Sequence, residues 1–378
     1  MFSMKKYIPT VIRFGFLVVL IVLLIVFNNL KNNPTFCENF TSNFSRYFVG
    51  LMSAITSWIP FSLTEVLFVT LFLSIILLFV LLIVFLVKKK YIAAINRVFD
   101  GALLIFLSFN LYFASCECAY NRDEMPLPYY ENEVLRTEHV SIYNYFANDV
   151  NACINELEFD ENGDVKTSMS LKDIANEVKK AYAIIEGQDY YYSSFGGVKP
   201  MLSSFVYREF QITGVTYSPL GEANIDVLNT NSDIPLTVAH ELAHTKGVMR
   251  EDDANQLAFY VCLNSEHPYL RFSAYASYFY QLEAMTSSYY LTDEERGDLV
   301  KVKPIFYTTR SYVYKFWKEH DLLGDIGEWI NNLYIKSSGV EEGTSSYSGG
   351  TEYIHDPTTS KLIPSLYQKL FFDKYYHS

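Results

Sequence analysis

Three apolar stretches, each about as long as a bilayer is thick, constrain this chain more than any other feature. Phe14 to Phe27 reads FGFLVVLIVLLIVF, and extension back to Ile8 gives a first span of about 8–28. That is roughly the 20 residues a hydrocarbon core requires, with Arg13 able to snorkel. The second, 66–87, is free of charge and interrupted only by Thr70 and Ser74. The third, about 98–117, is weaker because it contains Asp100 and Asn110, and Arg97 stands three residues before Asp100, within pairing distance on a helix. Lys and Arg at the span ends set the orientation. Lys5, Lys6 and Arg13 lead the first span, Lys88 to Lys90 and Arg97 fall between the second and third, and the loop between the first and second holds only Lys31 and Arg46. The expectation is a cytoplasmic N-terminus, an uncleaved first span, and everything after the third span outside the cytoplasm. Phe44 to Phe61, with Trp58 and Pro60, is expected to lie in the outer interface as a short helix.

Charge divides the chain at the same place. Residues 1–118 carry nine basic and four acidic side chains, a net +5, which leaves −17 of the whole-chain −12 on residues 119–378. The fold expected is an α-helical anchor of three transmembrane helices at 1–118, followed at 119–378 by a mostly helical α+β domain with a small sheet. An acidic chain that is 50% hydrophobic is a poor nucleic-acid binder and a poor candidate for disorder. The lipid bilayer is its first partner. Five cysteines, with a C-x-C pair at Cys116 and Cys118, read as free or buried thiols rather than a disulfide framework.

Helical spacing is expected over Leu171–Glu186, Leu236–Thr245, Arg250–Leu263, Tyr269–Tyr289, Asp293–Val300 and Tyr307–Leu333. Phe210–Val227 has strand or hairpin chemistry, and Ser337–Ser360 reads as a loop.

Chemistry concentrates in LTVAHELAHTKG at 236–247. His240 and His244, four apart on a helix, share one face and can hold one metal ion together. Glu241 sits beside them, placed to reach a metal-bound water. Zinc suits two histidines and a carboxylate with one position open. The alternative for these three residues is a polar stripe on a surface helix. The next helix begins REDDANQLA, with Glu251, Ala254, Asn255 and Ala258 on one face. Glu251 is the expected third ligand, with Asp252 and Asp253 as rivals, and Asn255 is expected to hydrogen-bond a ligand from behind. Arg271, Tyr275 and His267 are candidates for an extra donor to the substrate carbonyl. The same motif occurs inside spans in intramembrane proteases, but Asp233, Arg250, Glu251, Asp252 and Asp253 flank it here, at a cost a bilayer interior would make prohibitive.

H-E-x-x-H followed by E-x-x-A-N-x-x-A resembles the glutamate-ligand (gluzincin-like) branch of the zincin metallopeptidase superfamily. Most of the chain resembles an uncharacterised bacterial family, a domain of unknown function placed in that superfamily. The resemblance rests on the three spans, IPFSLTEVL at 59–67, GVTYSPLGEANID at 214–226, HELAH at 240–244, REDDANQLAFYVC at 250–262 and RFSAY at 271–275. It implies a zincin-like zinc-binding fold and a peptidase ancestry, and no substrate. Only six residues separate His244 from Glu251, far fewer than in the larger enzymes of that branch. Against the H-E-x-x-H-x-x-G-x-x-H pattern Gly247 is kept, but Arg250, which cannot ligate, takes the third-ligand place. The function expected is a membrane-anchored zinc metallopeptidase cleaving a peptide or protein substrate outside the cytoplasm, with Glu241 moving the proton of a zinc-bound water. The alternative is a non-catalytic zinc-binding membrane sensor or envelope-assembly partner.

Overall fold

The computed structural model describes residues 7–193, 195–338, 340–356 and 361–377, so Lys5 and Lys6 lie outside the described residues. Helix α1 runs Ile8–Leu30, α2 Pro34–Phe40, α3 Arg46–Thr56, α4 Leu63–Val87 and α5 Tyr91–Ser115. Among the described residues, helices α1, α4 and α5 are the three that are long and apolar enough to cross a membrane. At about 1.5 Å per residue they reach roughly 35–38 Å, more than the ~30 Å of a hydrocarbon core. Both α1 and α4 pack on α5. The Arg97–Asp100 pair expected from spacing is present at 2.9 Å, and Arg13 of α1 joins it at 2.6 Å. Asn110 ties α5 to α1 by donating to the Leu20 carbonyl at 3.1 Å.

Helix α3 lies within the segment expected at the outer interface. Tyr47, Leu51 and Ile55 form an exposed apolar stripe along it, continued by the exposed Trp58 in the turn that follows, as an interfacial helix requires. Its opposite face docks on the C-terminal part of the chain. Ser53 Oγ donates to the Phe195 carbonyl at 2.7 Å, and Thr56 Oγ1 to that of Leu220 at 3.0 Å. Gly221 is required at this contact. Its φ is +60°, and a Cβ there would meet Ser53 at 2.8 Å.

The remainder is mostly helical, with small sheets. Strands β1 (Glu158–Phe159) and β2 (Val165–Lys166) form a hairpin, as do β6 (Ile354–Asp356) and β7 (Lys361–Ile363). The three-stranded sheet has β3 (Gly197–Pro200), β4 (Gly214–Tyr217) and β5 (Glu222–Ile225) in the order β3-β5-β4. Strand β5 is parallel to β3 and antiparallel to β4, so β4 is an edge. β4 and β5 are the hairpin expected over Phe210–Val227.

Helices α6 (His139–Glu156), α7 (Leu171–Ala181), α8 (Ser204–Glu209), α9 (Ile234–Thr245), α10 (Glu251–Leu263) and α11 (Pro268–Tyr278) follow in chain order, interleaved with the strands. Then come α12 (Tyr280–Met285), α13 (Asp293–Gly297), α14 (Pro304–Glu319), α15 (Gly324–Ser337) and α16 (Leu366–His377). Several are shorter than their spacing suggests. Leu171–Glu186 tightens into a 3₁₀ turn at Tyr182–Ile185. Tyr269–Tyr289 divides into α11 and α12, and Tyr307–Leu333 divides into α14 and α15. The second break has a packing cause: Leu323 N donates to the Glu209 carbonyl at 2.8 Å, and Gly327 lies against the Phe210 carbonyl. The expected loop at Ser337–Ser360 contains a 3₁₀ stretch, Gly343–Ser348, together with β6. Helices α6 and α16 were not expected, yet Phe146 and Phe371 from them meet Phe259 and Tyr275 in the aromatic core. All five cysteines are buried free thiols.

Anchor and sheet share one buried polar junction. Glu222 of β5 is fully buried and pairs with Lys199 of β3. Its other oxygen accepts from the backbone N and the hydroxyl of Thr64, in the first turn of α4, both at 3.0 Å. Lys199 Nζ also donates to the Thr56 carbonyl at 2.9 Å. Glu65 accepts in return from the backbone of Leu202 at 2.6 Å and Ser203 at 2.9 Å.

Candidate metal centre

The loop between α9 and α10 brings the site together. Pro235 suits the first turn of α9, where its missing N–H costs nothing. Gly247 ends the helix with φ +84°, and a Cβ there would also strike the Tyr192 ring at 2.5 Å. The left-handed turn folds the chain back so that the Val248 carbonyl meets His244 Nδ1 at 2.8 Å. That contact places the proton on Nδ1 and aims the Nε2 lone pair outward. Helix α10 then begins at Glu251, with Ala254 and Ala258 completely buried along its face toward α9.

His240, His244 and Glu251 each offer one donor atom, and the three atoms lie within 4.8 Å of one another. His240 Nε2 and His244 Nε2 are 3.1 Å apart. Glu251 Oε2 is 3.2 Å from the first and 3.5 Å from the second. Zinc–nitrogen and zinc–oxygen bonds of about 2.0–2.1 Å in a tetrahedron require donors ~3.3–3.4 Å apart. The observed edges bracket that value, so the donor set fits zinc. Glu251 Oε2 is buried and meets no donor among the described residues apart from the two imidazoles. The side chains of His240, His244 and Glu251 are 14%, 7% and 8% exposed.

The rivals are engaged elsewhere. Asp252 and Asp253 pair with Arg250 at 3.2 and 3.6 Å. Asn255 does not hydrogen-bond a ligand as expected: its amide donates to the Tyr347 carbonyl at 3.1 Å, holding the 3₁₀ stretch Gly343–Ser348 beside α10. The reason is that its side chain lies on the exposed flank of the helix, while Ala254 and Ala258 occupy the face toward α9. The three candidates for an extra donor are structural. Arg271 and Tyr275 both bind Asp149, at 3.1 and 2.6 Å, and His267 caps the N-terminus of α11.

Glu241 is 4% exposed. Thr216 Oγ1 of β4 lies 2.7 Å from its Oε2 and 2.8 Å from its backbone carbonyl. Gly214, on the same strand, leaves room for the carboxylate: a Cβ there would stand 2.5 Å from Oε1. Nothing in the sequence pairs Thr216 or Gly214 with α9, so their contact with Glu241 is visible only in the fold.

Burial pushes the Glu241 carboxyl up, against the pull of both histidines. Burial would pull His244 down, but the Glu251 carboxylate, with help from Glu241 and the Val248 carbonyl, takes it up to about 9. Glu251 feels the reciprocal effect: burial alone would raise it, and the two imidazoles hold it far below the usual carboxylate range. Tyr120, Tyr334 and Tyr347 stand near the site, held protonated by burial first and by the Glu251 charge among lesser causes.

Residues 40–354 match the family described as a protein of unknown function, DUF3810. No curated protein and no solved structure matches.

Proposed function

The chain therefore belongs to the DUF3810 family, whose description carries no activity, and from its ligand geometry we propose that it is a membrane-anchored zinc metallopeptidase of the zincin type. The observation that carries this reading is the convergence of His240, His244 and Glu251 at 3.1–3.5 Å beside a buried, strand-held Glu241. Zinc, when bound, supplies a Lewis acid and a water acidified toward neutrality. Glu241 keeps Oε2 on Thr216 and receives the proton of the attacking water at Oε1. It then delivers that proton to the leaving amine nitrogen. Strand β4, as a sheet edge next to Glu241, aligns an extended peptide by strand addition. A carboxylate positioned this closely has no task in a purely structural zinc site, which weighs against a sensor or assembly role. The distribution of Lys and Arg supports a domain outside the cytoplasm.

The test is zinc content and cleavage of a mixed peptide library by the full-length protein in nanodiscs, wild type beside Glu241→Gln. We expect about one zinc per chain in both and cleavage only in the wild type. Absence of zinc from both folded proteins overturns the site, and equal cleavage by both overturns the role of Glu241.

A further inference from the structure

Helix α15, far from the spans in sequence, leaves an apolar stripe open. Ile326, Trp329, Ile330 and Leu333 recur at i, i+3, i+4 and i+7, which puts them on one face, and they are 49–62% exposed. Gly327 and Ile335 are buried on the face toward the domain. Asp325, Glu328, Asn332 and Lys336 share a third, polar flank. Leu202 and Phe205, on and just before α8, are exposed to a similar extent. Single apolar side chains at a surface are ordinary, but a continuous helical stripe marks a contact surface.

The neighbours of α15 select what covers it. The chain crosses along α1, returns along α4 and crosses again along α5, so the end of α1, the start of α4 and the end of α5 share one side of the membrane. Both ends of α15 are tied to that level. At its C-terminal end, Tyr112 in the last turn of α5 donates to the Tyr334 hydroxyl at 3.1 Å, and Lys31, just past α1, donates to the Ser337 carbonyl at 2.9 Å. At its N-terminal end, Leu323 N donates to the Glu209 carbonyl of α8 at 2.8 Å. The backbone of Leu202 and Ser203, leading into α8, is held in turn by Glu65 in the first turn of α4. The apolar face is also continuous with lipid-facing protein: Tyr334 and Ser337 border the open groove along Ile75, Ile105 and Phe109, all exposed on the spans. A helix at this level, with an apolar face, a tryptophan on it and a lysine on its flank, meets the requirements of an interfacial helix. Its polar flank has two carboxylates against one lysine, so attraction to anionic head groups is not what holds it there.

We propose that α15, with Leu202 and Phe205 beside α8, lays its apolar side chains into the leaflet at which α1 ends and α4 begins. The partner is the acyl and glycerol region of the bilayer itself. The part of the chain after the third span then rests on the membrane through a second contact that does not span it. The proposal is independent of the metal centre and of any catalysis there.

The probe is phosphatidylcholine carrying a diazirine near the glycerol end of one acyl chain, mixed into phosphatidylcholine nanodiscs that hold the full-length protein. After photolysis the adducts are mapped by mass spectrometry. We expect adducts on Ile326, Trp329, Ile330 and Leu333 within a few-fold of those on Ile25 and Val26, exposed near the same end of α1, and without any anionic lipid. They should exceed by about tenfold those on Leu135 and Tyr145, equally apolar and exposed but at or just before α6, which packs on α11, α12 and α16. Ile330→Asp should lower labelling of Leu333 about tenfold and leave Ile25 unchanged. The wild-type map stands even if that variant misfolds. Labelling of α15 no stronger than that of Leu135, beside strong labelling of Ile25, overturns the proposal. If a lysine cross-linker then joins Lys336 of two chains, a second copy covers the stripe instead.

Discussion

The Thr216 hydroxyl reaches Glu241 twice, 2.7 Å from its carboxylate and 2.8 Å from its backbone carbonyl, so one side chain of the sheet edge fixes both the position and the rotamer of the proposed proton carrier. Thr216→Val keeps the shape and removes that bond. Hydrolysis is expected to fall about 10–100-fold, the usual effect of losing a supporting partner, with zinc content unchanged. Thr216→Ser should restore most of the rate. Equal activity in the Val and Ser variants contradicts the positioning role.

Glu251 stands in the donor triangle, while its neighbours Asp252 and Asp253 pair with Arg250. Glu251→Gln is expected to weaken zinc binding by more than the roughly hundredfold typical of an outer partner. Asp252→Asn and Asp253→Asn should leave it within a few-fold of wild type. Zinc titration against a competing chelator separates the three, and retention by Glu251→Gln rejects the ligand assignment.

The buried Lys199–Glu222 pair predicts a large asymmetry between single and double variants. Lys199→Met leaves a buried carboxylate without its cation and should cost about 3–5 kcal/mol. Lys199→Met combined with Glu222→Leu should recover a good part of that loss. Chemical unfolding of the full-length protein in detergent gives both numbers, and additive losses would count against the pair as drawn.

Asp233, half-buried at the start of α9, is pushed up to about 6 by burial, against bonds from Thr230 at 2.9 Å and Trp317 at 3.4 Å. Its ordinary value is 3.8. Between those values the folded state binds more proton than the unfolded state, so this contribution is complete below about pH 4 and lost as pH rises through 6. Asp233→Asn should therefore gain on wild type between pH 4 and 7, by about 1–3 kcal/mol at most. A melting-temperature difference that is flat over that range argues against the shift.

The sequence disclosed those parts whose signal is local. Three apolar runs, the H-E-x-x-H spacing and the small residues of α10 all follow from periodicities of a few residues, and the structure contains three such helices and gathers His240, His244 and Glu251. Helix α6 carries β-branched, Asn and aromatic residues, and α16 is rich in Phe and Tyr, all types of modest helix propensity, so core packing decides that both are helical. Asn255 shows the limit within a helix: spacing puts it one turn from Glu251, but spacing cannot say which flank is covered, and a loop 92 residues away claims its amide. Thr216 and the tyrosines near Glu251 come from separate parts of the chain, and their meeting is a property of tertiary structure.

The hydrogen bonds from Thr64 to Glu222, and from Leu202 and Ser203 to Glu65, have a practical corollary. A fragment cut just after the third span would lose the groups that satisfy a buried carboxylate, the Lys199 ammonium and two backbone amides in one stroke. The part after the third span is not a detachable passenger: proteolytic shedding would strip these partners from buried polar groups and unsettle the domain rather than release it intact.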